Sequence, residues 1–211
     1  EEILCCFLTA IQESTSLKEL HMEFLRGFAP LNLALENMLT HNQSLRSLSL
    51  FCSVYPHADA DVAAARSGLK KNTTLRELTL DVSRGETTVS PILTSLRDHP
   101  LLRRLCLRGN AMDLDGLEAV LLSDTSKITE LEIHMLYGSQ PISGLTNVLQ
   151  ALARRPTLTK LRLHGFTLGP DETRLLQMAL CNIPSLQSLT LTNRTPGWPN
   201  LHQRCTTTRP S

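Results

Sequence analysis

Apolar residues along this chain fall into two alternating rhythms. In the first, three apolar positions follow one another at offsets of three and two. The phrase is Leu17-Leu20-Met22, and it returns as Leu45-Leu48-Leu50, Leu75-Leu78-Leu80, Leu102-Leu105-Leu107, Ile128-Leu131-Ile133, Leu158-Leu161-Leu163 and Leu186-Leu189-Leu191. Successive copies begin 28, 30, 27, 26, 30 and 28 residues apart, so the chain is an internal repeat. Two apolar residues separated by one point to the same face of an extended chain, and each phrase therefore predicts a short strand with one buried side. The second rhythm lies between the phrases. Leu4, Phe7, Leu8 and Ile11 make one stripe at helical spacing, Leu114, Leu117, Val120 and Leu121 another, and Leu145, Val148, Leu149 and Leu152 a third. The punctuation agrees: Pro170-Asp171-Glu172 carries helix-start residues, while Asn72-Thr73-Thr74, His99-Pro100 and Arg155-Pro156 break helices ahead of the next strand.

A single strand–helix unit cannot bury its own apolar stripe, so consecutive units must stack, strands beside strands and helices beside helices. The phrase and its period resemble the leucine-rich repeats of the ribonuclease-inhibitor-like class. The turns Asn42-Gln43-Ser44-Leu45 and Asn72-Thr73-Thr74-Leu75 are also similar to the repeats of NOD-like receptors. The resemblance implies an α/β solenoid, a curved horseshoe with parallel strands on the concave face and helices on the convex face. It covers residues 1–192 with seven copies of the phrase, and leaves residues 193–211 as a C-terminal cap or a disordered tail. Trp198 and Leu201 are the candidate apolar lid of that tail. The family pattern continues to an Asn or Cys three residues after the last strand leucine, where only Asn110 fits; Leu25, Ser53, Ser83, Leu136, Phe166 and Arg194 stand there in the other copies. Irregular turns are expected, with an insertion at Leu136–Ser143.

Within each strand the residues flanking the inward leucines point to the concave face, where a partner would touch them. The candidates are Glu19, His21, Glu23, Phe51, Glu77, Asp81, Arg104, Arg108, Glu130, Glu132, His134, Lys160, Arg162 and His164. Their charge is mixed: acidic on strands one, three and five, basic on four and six, so neighbouring strands of opposite sign can also pair with one another. The resemblance implies that such a face binds another protein, as the sensing or adaptor part of a larger polypeptide. Some proteins of the class instead accelerate GTP hydrolysis by a small GTPase, and Arg108 and Asn110 are the nearest equivalents here.

Composition narrows the alternatives. Leucine is about one residue in five and aromatics only 4%, which suits aliphatic layers rather than a pocket built of rings. With 21 Lys and Arg against 20 Asp and Glu, no net field draws the chain to nucleic acid or to an anionic membrane. The apolar run at residues 3–11 is too short to span a bilayer and has Glu1 and Glu2 in place of a basic flank. The six cysteines, Cys5, Cys6, Cys52, Cys106, Cys181 and Cys205, have neither metal-ligand spacing nor a compact disulfide framework. They are read as reduced thiols in a cytoplasmic protein. Asn42, Asn72 and Asn193 are sequons, of which the first two also belong to the repeat's turn phrase.

No glycine-rich phosphate loop, nucleophile elbow or cysteine–histidine pairing is legible, so no enzyme activity is expected. His134 and His164 fall at equivalent positions of adjacent strands, about 5 Å apart at the backbone, near Glu132. Two histidines and a carboxylate on an open face lack a closed ligand shell, and no metal or other cofactor is expected. Asp113 and Asp115 are placed as caps of the helix that follows.

Overall fold

The computed structural model describes residues 2–24, 29–52, 59–82, 89–110, 112–136, 144–193 and 201–203. Strands and helices alternate: α1 (Glu2–Glu13), β1 (Glu19–Phe24), α2 (Ala29–His41), β2 (Ser47–Cys52), α3 (Asp59–Lys71), β3 (Glu77–Val82), α4 (Ser90–Ser95), β4 (Arg104–Gly109), α5 (Asp115–Leu122), β5 (Glu130–Met135), α6 (Leu145–Leu152), β6 (Lys160–Phe166), α7 (Pro170–Cys181) and β7 (Ser188–Asn193). The seven strands β1 to β7 form one parallel sheet in sequence order, and each helix packs against its sequence neighbours. This is a leucine-rich-repeat solenoid. A last short strand, β8 (Leu201–Gln203), runs antiparallel to β7 and pairs with it at the sheet edge. Trp198, the other candidate for a lid, lies outside the described residues.

The inward leucines set the register. Leu20, Leu48, Leu78, Leu105, Leu131, Leu161 and Leu189 stand opposite one another across the sheet. Met22, Leu50, Leu80, Leu107, Ile133, Leu163 and Leu191 form the second row. From β2 to β6 these side chains are buried, each contributing about 1.5–3 kcal/mol. Among the described residues the register slips only between His164 and Phe166, at Gly165. There φ is +75°, and a Cβ would run into the Met135 carbonyl, so glycine alone fits the irregularity.

The repeats are also stitched at the turn that precedes each strand. The Asn42 amide donates to the Ile11 carbonyl at 2.6 Å and to that of Ser14 at 3.2 Å, while its Oδ1 accepts from the backbone N–H of Ser44 and Leu45. Asn72 repeats the device, donating to Leu39 and accepting from Thr74 and Leu75. Both side chains are buried, at 1% and 3% exposure, which removes two of the three sequons from any glycosylating enzyme unless the repeat opens. Three repeats further on, the same position holds Arg155, whose guanidinium donates to the Ser123 and Ser126 carbonyls. Helix breakers in the sequence are thus ties between neighbouring repeats.

His99 occupies this position between Asn72 and Arg155, and it is the acid-sensitive member of the series. Its Nδ1 accepts from the Leu102 backbone N–H at 3.2 Å, and burial pushes its pKa down from 6.5 to about 4. A group that resists protonation in the folded state stabilises the fold above its unfolded pKa, and that contribution is lost as pH falls from 6.5 toward 4. The loss is on the order of 3 kcal/mol at about 1.36 kcal/mol per unit. His99→Asn restores the residue used at positions 42 and 72. Urea unfolding at pH 7 and pH 4.5 should show a smaller acid loss for this variant; an equal loss in both proteins would place the sensitivity elsewhere.

Two local expectations are corrected. Leu8 and Ile11 of the α1 stripe are buried, but Leu4 and Phe7 are 45% and 53% exposed, because α1 has a packed helix on one side only. The N-cap of α5 is Leu114, without a side-chain cap; Asp113 Oδ1 accepts from the Asp115 backbone N–H, and Asp115 itself lies in the first turn.

Candidate interaction face

The side of the sheet away from the leucine rows carries three polar rows, each one residue per strand. The first runs Glu19, Ser47, Glu77, Arg104, Glu130, Lys160, Ser188. The second runs His21, Ser49, Thr79, Cys106, Glu132, Arg162, Thr190, and the third begins with Glu23, Phe51, Asp81, Arg108, His134 and His164. All fourteen candidate residues therefore lie on one face and in register. On β1, Glu19, His21 and Glu23 are exposed, and Phe51 on β2 is half-buried.

From β3 to β6 the charges pair across the strands, as opposite signs in register allow. Arg104 is the cationic centre, 3.7 Å from Glu77, 4.0 Å from Glu130 and 3.5 Å from Glu132. Lys160 meets Glu130 at 3.3 Å, and Arg162 meets Glu132 at 3.5 Å. Glu132 is the anionic centre. Its Oε2 faces both arginines and its Oε1 lies 2.5 Å from His134 Nε2. Burial pushes the Glu132 carboxyl up, but the hydrogen bond and charge of His134, with the charges of Arg162 and Arg104, outweigh it and hold the group below the usual carboxylate range. His134 stacks flat on His164, ring centres 4.1 Å apart, and His164 Nδ1 lies 3.1 Å from Thr192 Oγ1.

Not every outward residue is within a partner's reach. Asp81 is 8% exposed and Glu132 6%, the latter enclosed by Arg104, Arg162 and His134. Cys106, which the phrase places outward between Arg104 and Arg108, is only 2% exposed. Burial, and then the neighbouring Glu132 charge, raise the Cys106 thiol pKa, against a hydrogen bond from Arg108.

Comparison with known proteins adds little to this geometry. No family model matches the chain, and no curated protein does. Among solved structures it is similar to one described as "Leiomodin-1 Actin-Binding Site 2 (ABS2)", at 16% identity and a TM-score of 0.43, covering 82% of this chain and 87% of that one. It is also similar to the tropomodulin C-terminal domain of Caenorhabditis elegans, at 14% identity and a TM-score of 0.44, covering 86% of this chain and 91% of that one. Likenesses this distant say nothing of function. The strand and helix repeat identifies the solenoid, and no helix among the described residues is long and apolar enough to cross a membrane.

Proposed function

We propose that this chain is an interaction module that holds another protein on the open face of its sheet, as the sensing or adaptor part of a larger cytoplasmic polypeptide. The observation that carries the reading is the charged network across β3 to β6. Seven strands spaced about 4.8 Å apart present a face on the order of 30 Å wide, a span suited to a protein surface rather than to a small molecule. Arg104, Lys160 and Arg162 are held in place by their carboxylates while staying about a quarter or more exposed, at 39%, 24% and 36% of the side chain. Side chains ordered before docking lose less entropy when a partner arrives, and their charge pattern sets specificity and association rate. Among the described residues, the free thiols Cys5, Cys6, Cys106 and Cys181 and the buried sequon residues Asn42 and Asn72 suit a reducing compartment. Repeats of this length with a helix opposite each strand support the ribonuclease-inhibitor-like class. Arg108, on which the small-GTPase alternative would turn, is half-buried and hydrogen-bonded to the Cys106 thiol, so the docking reading is preferred.

The test is photo-crosslinking in cells. A photoreactive residue at Thr79 or Thr190, on the open face, should trap the partner, whereas one at Arg97 or Arg154, exposed on the helix side, should not.

A further inference from the structure

At the centre of the open face the fold brings together three groups of different chemistry. Cys106 stands directly across from Glu132, and His134 follows Glu132 on the same side of β5. The thiol, a carboxylate oxygen and a ring nitrogen all lie within 4.8 Å of one another. We propose that Cys106, Glu132 and His134 bind a single zinc ion, with the fourth coordination position turned toward the open face. The proposal is independent of the docking reading and goes beyond it.

The donor set is one that zinc takes. Thiolate, imidazole and carboxylate bind it at about 2.0–2.3 Å, which puts tetrahedral donors roughly 3.3–3.8 Å apart. Side-chain rotations of about 1 Å achieve this on two strands already held in register. The ion enters between His134 Nε2 and Glu132 Oε1, where the present contact is 2.5 Å. Glu132 is divided between two tasks: Oε1 faces His134, while Oε2 is held by Arg104 and Arg162 at 3.5 Å each. Outer partners of this kind orient a metal-bound carboxylate. The His134 ring is fixed in the same way by its stack on His164.

Zinc brings two positive charges to one thiolate and one carboxylate; Arg104 nearby is shared with Glu77 and Glu130, while Arg162 on Glu132 and Arg108 on the Cys106 thiol add positive charge that weakens the site. On binding, the S–H bond of Cys106 breaks, its proton passes to water and the sulfur lone pair forms the Zn–S bond; nothing is oxidised or reduced. Because a proton leaves the thiol when the metal binds, affinity should rise with pH. The sequence places His134, His164 and Glu132 together, but the two rings lie parallel, 11° apart, and stacked rings do not point their lone pairs at one ion. Cys106 of the neighbouring strand takes the place of the second histidine.

Cobalt(II), titrated into the purified chain, is the probe. One equivalent should produce a thiolate-to-cobalt charge-transfer band with tetrahedral d–d bands, and zinc should bleach both. Cys106→Ser should abolish the charge-transfer band, and His134→Gln should weaken binding about tenfold or more, each with circular dichroism unchanged from the parent. A chain in which Cys5, Cys6, Cys52, Cys181 and Cys205 are all changed to Ser should keep the band, since none of them belongs to the proposed ligand set. The proposal is overturned if the parent shows no band, if the band survives Cys106→Ser, or if it disappears with the five other cysteines.

Discussion

Replacing Leu131 by Asp should destroy the middle of the stack. Leu131 is fully buried and stands between Leu105 and Leu161 in the first leucine row. The substitution forfeits about 2 kcal/mol of leucine burial and places a carboxyl in an apolar layer, which costs several kcal/mol more unless it stays protonated. A domain of this size has roughly 5–15 kcal/mol in total, and repeats contact only their neighbours, so the defect falls on β4, β5 and β6 together. A thermal melt should show a lost or early transition, and limited proteolysis should cut near β5. A melting temperature equal to that of the parent would show that Leu131 does not face the core.

The second large effect separates two glutamates that look alike in the sequence. Glu132→Ala should cost about 2–3 kcal/mol, because its side chain is 8% exposed and its loss leaves a buried void and takes the carboxylate partner from His134 and Arg162, while Arg104 keeps Glu77 and Glu130. Glu130→Ala should cost less than about 1 kcal/mol, since that side chain is 37% exposed and its partners Arg104 and Lys160 stay solvated. Urea titrations of the two variants measure the difference. Equal losses would mean that the network is a surface feature without a buried centre.

The strands were legible almost to the residue. Each of β1 to β7 begins two positions after the first apolar residue of its phrase, because the period-two placement of leucine admits one register with the apolar side inward. Of the helices, α1, α5 and α6 were legible from their stripes and α7 from its start at Pro170, while α2, α3 and α4 followed only from the alternation; on α1 half the stripe is exposed, because packing depends on what lies beside the stack. The ties at Asn42, Asn72, His99 and Arg155 were read only as breakers: three residue types perform one task, so no single letter repeats. On the open face the sequence placed all fourteen candidates on one side of the sheet. It could not say that Glu132 and Asp81 would be closed over, or that Cys106 would turn toward Glu132. Those outcomes depend on side-chain length and on charges of neighbouring strands, 26 to 30 residues away in the chain.

The central claim is that a partner docks on the strand face, and site-specific photo-crosslinking tests it most directly. With the probe at Thr79 or Thr190, both only partly buried, the account predicts one discrete adduct that disappears when Arg104 and Lys160 are both changed to Ala. Probes at Arg97 and Arg154 should yield no adduct of that mass. Adducts formed from the helix-side positions and absent from Thr79 and Thr190 would contradict the account, and would leave the solenoid standing with its binding surface on the other face.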